Sequence, residues 1–119
     1  MPPDVLKFLH DIKQACGLIE QFNIGKSIDD FRTDSQLRSA VERQFITIGE
    51  ALQQAVRAWP DLEQRVSECR RIINFRNVMV HGYAQIAIDT VWGVVEKDLP
   101  ILREEVNQLL RGDISHGSQ

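Results

Sequence analysis

The sequence predicts an all-α fold, a four-helix up-and-down bundle with one extra short helical turn. Three observations point there. Apolar residues recur at steps of three and four along nearly the whole chain, the spacing that lines one face of a helix. Residues that start and stop helices fall between those runs. No segment alternates apolar and polar positions as a half-buried strand would.

The first helix carries Val5, Leu9, Ile12, Cys16 and Ile19 on one stripe, with Asp4 after two prolines as its expected N-cap. Gly25 is placed to end it. In "SIDDF", Ser27 and Asp30 have the spacing of a capping box, which predicts the short extra turn. Asp34 should cap the second long helix, whose stripe is Leu37, Val41, Phe45, Ile48, Leu52, Ala55 and Trp59. Pro60 stops it, and Asp61 is the expected cap of a third helix that runs through "LEQRVSECRRIINFRNVMV" with room for a kink. Gly82 suits the position after its end, where a left-handed backbone needs no Cβ. Asp89 should cap the fourth helix, with Ile88, Trp92, Val95, Leu99, Leu102, Val106 and Leu109 on its stripe and a bend at Pro100. The domain is expected to cover residues 1–111, and the polar "RGDISHGSQ" end gives a flexible tail over 112–119.

A chain of 119 residues, 43% hydrophobic and 26% charged, fits one globular domain. It has no apolar run of membrane-spanning length and no secretory leader pattern, so a cytoplasmic location without membrane association is expected. Cys16 and Cys69 are too far apart in sequence for a zinc spacing and read as buried thiols. No metal and no cofactor are expected. The net charge of −3 excludes a general nucleic-acid glue. Yet residues 65–76 hold Arg65, Arg70, Arg71 and Arg76 against Glu68 alone, a local net of +3. Arg70 and Arg71 are therefore candidate contacts for an RNA backbone.

That basic run leads into "RNVMVHGY", residues 76–83, where four hydrogen-bonding side chains interrupt an apolar helix. At about 100° per residue, Ile72, Phe75, Val78 and Met79 share an arc expected to face the core. Arg76, Asn77, His81 and Tyr83 fall opposite, with Ile73 and Val80 among them. A helix apolar on two sides needs covering on both, which predicts a homodimer joined through the motif-bearing helix. The residue types suit phosphodiester chemistry. Arginine can grip a phosphate with two parallel hydrogen bonds, and imidazole exchanges a proton near neutral pH. RNA brings its own nucleophile in the 2′-OH, so a protein need only hold the phosphate, move a proton and stabilise developing charge. Asn77, four residues before His81, is placed to orient the ring.

The Arg-x4-His-x-Tyr spacing of Arg76, His81 and Tyr83, with Asn77 after the arginine, resembles the motif of HEPN domains. More narrowly, the chain is similar to the HepT-type ribonuclease toxins of HEPN/MNT toxin–antitoxin pairs. The likeness extends through "DDF", "AVERQFITIGEAL" and "AIDTVWGVVEKDLPIL" and covers nearly the full length. It implies a helical dimer with two motifs facing one cleft and metal-independent endoribonuclease activity. In that setting Arg76 would bind the scissile phosphate, His81 would be the general acid/base and Asn77 would orient them. The resemblance also implies an MNT-type nucleotidyltransferase antitoxin as partner, able to place AMP on Tyr83, which is the chain's single tyrosine.

An alternative reading is a non-catalytic, nucleotide-binding or regulatory subunit of a nucleotidyltransferase complex. A third is a helical dimer without chemistry. Taken singly, Arg76 would be a surface ion-pair partner and His81 a helix-end histidine; their joint spacing favours a site. Trp59 and Trp92 read as core or interface, Glu42 and Glu50 as a solvated face with reach into the cleft as the alternative, and His10 and His116 as surface residues.

Overall fold

Proline, glycine and short polar side chains set most of the helix boundaries. A computed structural model of the chain describes residues 1–81 and 87–117. Helix α1 spans Pro3–Asn23. Its N-cap is Pro2, so the expected cap, Asp4, lies inside the first turn instead. Proline suits that start because its fixed φ is helical and the N–H it lacks would have had no partner. Past the end of α1, Gly25 adopts φ 71°, a conformation that favours glycine.

Helix α2 spans Ile28–Thr33 and begins with the expected capping box. The Asp30 N–H donates to Ser27 Oγ at 3.2 Å, and the Ser27 N–H donates to Asp30 Oδ2 at 2.9 Å. The Ser27 N–H and hydroxyl, both donating to Oδ2, hold the Asp30 carboxyl below its ordinary pKa. Helix α3 spans Ser35–Ala58 and is capped by Asp34, whose carboxylate accepts the Leu37 N–H at 3.0 Å.

The expected third helix is two. Helix α4 spans Leu62–Arg65 and α5 spans Cys69–His81. Asp61 makes no side-chain capping bond. The chain breaks at 66–68, where the carboxylate of Glu105 accepts both the N–H of Ser67, at 3.1 Å, and its hydroxyl, at 2.6 Å. A tertiary acceptor takes the place of a helical carbonyl, so the kink is a full interruption.

Beyond residue 87 come α6 (Ile88–Gly93), a π-turn (Val94–Asp98) and α7 (Leu99–Gly117). The expected cap of α6, Asp89, bonds no helix N–H; its carboxylate accepts from Arg32 Nη2 at 2.8 Å. Pro100 cannot donate a backbone bond. Just before it the chain takes a five-residue turn, in which the Leu99 N–H reaches the carbonyl of Val94. The extra residue rephases the stripe: Val91, Val94, Asp98 and Leu99 are buried, while Trp92 and Val95 are half-buried. Helical backbone continues to Gly117, past Arg111.

Helix α1 packs along α3, α3 also holds α5, and α7 closes against α1. The core is made of the expected stripes, among them Leu9, Ile12 and Ile19 of α1, Val41, Ile48 and Leu52 of α3, and Leu102 and Val106 of α7. Each fully buried leucine or isoleucine contributes about 1.5–3 kcal/mol. Phe31 seats α2 against α6 through the Trp92 ring, 5.4 Å away between centroids. Trp59 is half-buried with the Arg65 guanidinium 5.1 Å above its ring. Among the described residues no helix is long and apolar enough to cross a membrane.

Both cysteines are buried and free. Burial pushes the Cys16 thiol up to about 12, with Glu20 adding to the rise and Arg103 opposing it. Burial, then Glu63, raises Cys69 to about 11. Thiol reagents attack the thiolate. Folded protein at pH 8 should therefore leave both cysteines unlabelled by a chromogenic disulfide, and both should react at once in denaturant.

Candidate active site

Helix α5 carries Arg76, Asn77 and His81 of the motif, and its contact with α3 determines where the arginine goes. Ile72 and Ile73 are buried at 5% and 2% exposure, and Phe75 meets Phe45 of α3 edge-on at 5.6 Å. Val78 and Val80 are 37% and 44% exposed. The buried face therefore runs through Ile72, Ile73 and Arg76, and the expected placement of Arg76 opposite the core is corrected. The reason lies on α3. A Cβ built at Gly49 would collide with Cβ and Cγ of Arg76. With only hydrogen at position 49, the arginine stem lies directly on the α3 backbone.

The head of Arg76 is held from two helices. Nη1 donates to Asn77 Oδ1 at 2.9 Å, and Nη2 donates to Glu50 Oε1 at 3.1 Å. The arginine side chain is 19% exposed and that of Glu50 49%. Nε is buried without a hydrogen-bond acceptor among the described residues. A guanidinium has five N–H donors. Two are engaged here and Nε–H is buried, which leaves the second hydrogen of each terminal nitrogen as a cationic, partly desolvated donor suited to an oxyanion.

Asn77 thus acts on Arg76 through its Oδ1. His81 is the last residue of α5 and is exposed. Five residues of helix set its Cα about 7.5 Å along the axis and about 140° around from Arg76. Tyr83 and Gly82 lie outside the described residues. Arg70 pairs with Glu63, and Arg71 Nε stands 3.3 Å from Asp98 Oδ2. That approach is an ion pair without hydrogen-bond alignment, since Asp98 Oδ2 has no hydrogen-bond donor among the described residues. Both arginine side chains remain about three-fifths exposed, at 61% and 60%, so each shares its charge between a carboxylate and solvent.

The profile of a ribonuclease family, "Ribonuclease HepT-like", matches residues 12–109, which contain both helices of this site. The chain belongs to the HepT-like family. It is 29% identical over 110 residues to "Gamma-glutamylcyclotransferase and putative RNase MJ0434" of Methanocaldococcus jannaschii, a match covering 92% of this chain and 49% of that protein. The chain thus spans about half the length of that relative. It is 28% identical over 102 residues to "Probable ribonuclease HepT" of Thermococcus cleftensis, covering 86% of this chain and 92% of the other. With "Putative RNase MJ1380" of M. jannaschii the identity is 27% over 103 residues, covering 87% and 94%. No solved structure matches.

For a HepT-like chain, Glu50 and Gly49 are the residues that sequence reasoning missed. Glu50, expected on a solvated face, is the ion-pair partner of Arg76. The available signal was Gly49, a glycine in the middle of a long helix that otherwise keeps a regular stripe.

Gly49→Ala should destabilise the fold by about 1–3 kcal/mol in urea unfolding, because α5 must move off α3. Gly17→Ala is the control. Its Cβ would meet nothing within 4 Å, so removing a helix-interior glycine should leave stability unchanged or raise it by about 0.5–1 kcal/mol.

Proposed function

We propose that the protein is a metal-independent endoribonuclease that acts as the toxin of a toxin–antitoxin pair. The observation that carries this reading is the Arg76 guanidinium, fixed by Asn77 and Glu50 with donors to spare, five residues before an exposed histidine in a HepT-like chain. The ribonuclease family supports RNA as the substrate.

In the proposed reaction Arg76 binds the scissile phosphate and gathers the charge that develops on its oxygens. His81 takes the proton of the ribose 2′-OH or delivers one to the departing 5′-oxygen. Asn77 orients Arg76. The 2′-oxygen forms a bond to phosphorus as the bond to the 5′-oxygen breaks, so the products are a cyclic phosphate and a free 5′-hydroxyl. Arg76 and His81 project from different sides of one helix, which favours a cleft completed by a second copy. The exposed Val78 and Val80 of α5 supply apolar surface for that homodimer. Arg70 and Arg71 would meet the RNA backbone beyond the scissile link, at the edge of a surface where their carboxylate partners must yield.

Purified protein should cut single-stranded RNA in EDTA. His81→Ala and Arg76→Ala should each lower kcat by at least about 100-fold, the usual range for losing a proton-transfer or charge-stabilising group. Undiminished cleavage by the His81 variant would refute the mechanism.

Control of the activity is proposed to come from an MNT-type nucleotidyltransferase antitoxin. Tyr83 stands two residues after His81. AMP on that tyrosine would bring negative charge and bulk to the place where an RNA phosphate must bind. After co-expression with such an enzyme, mass spectrometry should find one or more AMP units on the wild type and none on Tyr83→Phe, and the modified protein should no longer cleave RNA.

A further inference from the structure

We infer that Glu50 is a positioning residue for this cleavage: its carboxylate sets the orientation in which the Arg76 guanidinium meets the scissile phosphate. The inference rests on the ribonuclease reading above and adds to it a residue from a different helix.

Three features of the structure lead to it. The stem of Arg76 is pinned where Gly49 leaves room, so Cβ and Cγ have one place to go. Glu50 is the next residue of α3, and its Oε1 receives Nη2 at 3.1 Å. On the other side Asn77 receives Nη1 at 2.9 Å from within α5. A long, rotamer-rich side chain is thus fixed at its base and at both terminal nitrogens by two elements packed against each other. Its orientation is settled before any substrate arrives, the condition under which a charged group stabilises a transition state without reorganising.

Glu50 is suited to holding the arginine without sealing it. Half of its side chain is exposed, so the ion pair sits at the mouth of the contact and not in the core. It accepts one of the Nη2 hydrogens. The buried Nε–H keeps no acceptor among the described residues. The second hydrogens of Nη1 and Nη2 are the ones left for a phosphate oxygen while Glu50 keeps its grip. The carboxylate would stay in place through the reaction, unlike a competing anion that must leave.

The test compares Glu50→Ala, Glu50→Gln and Arg76→Ala by kcat and KM on RNA, with thermal melts of each. An exposed helical position tolerates alanine and glutamine, so both Glu50 variants should fold. Glu50→Ala should lower kcat about 10- to 100-fold, the scale expected when a charge-stabilising group loses its alignment. Glu50→Gln should recover most of that loss, because an amide oxygen still accepts from Nη2. Glutamine as inactive as alanine would mean that the carboxylate itself reacts, which overturns a positioning role. So would an alanine variant as active as wild type beside an inactive Arg76→Ala. Those two results remove this inference and leave the ribonuclease reading standing. A wild type that cuts no RNA removes both.

Discussion

Arg76 lies against α3 only because position 49 has no side chain. That contact decides the roll of α5 about its axis. It places Ile72 and Ile73 in the core, leaves Val78 and Val80 outward and brings a guanidinium beside Glu50. A glycine inside a helix costs about 0.5–1 kcal/mol relative to alanine, an expense α3 bears within an otherwise regular stripe. What is gained is a charged head embedded in a helix–helix seam. There a hydrogen bond is stronger than in water and a missing acceptor is more costly.

Several other arginines here play a different part. Arg32 pairs with Asp29 and Asp89, Arg70 with Glu63, Arg103 with Glu20 and Arg111 with Glu104, all with side chains at least two-fifths exposed. Such pairs each contribute about 0–1 kcal/mol and fade with added salt. The local excess of positive charge before the motif is thus largely met by carboxylates brought in from elsewhere in the fold. Arg76 differs by being four-fifths covered while keeping unmatched donors. In this acidic chain, one desolvated cation with unmatched donors concentrates positive charge that the exposed pairs disperse.

The stripes of α1 and α3 were legible because burial on one side of a regular helix leaves a strict three-and-four pattern, and all of their stripe positions but Trp59 are buried. The caps at Ser27 and Asp34 were equally plain, since each bond closes within three residues. What the sequence could not convey depends on distant partners. Asp61 and Asp89 looked like caps by spacing. Asp89 instead answers Arg32, 57 residues away, and the break after α4 is made by Glu105. The motif itself was readable as a spelling, and its setting was not. Phe75, Val78 and Met79 outweigh Ile73 on a helical wheel, yet the wheel has no knowledge of a bare α-carbon on the neighbouring helix. Glu50 was hidden for the same reason, as its role follows from adjacency across a seam.

The five-residue turn at Val94–Asp98 makes the stretch from α6 to α7 longer by one residue than a uniform helix of equal span. Excision of a single residue there would restore ordinary winding with little change of phase, whereas one further residue wound as ordinary helix would swing everything upstream by roughly 100°. Trp92 would leave Phe31, and Asp89 would leave Arg32, while the downstream Leu102 and Val106 kept their seats. Segment length at this point therefore acts as a rotational key. It ties α6 to α2, so one added residue here would unseat that contact while leaving most of the interior whole.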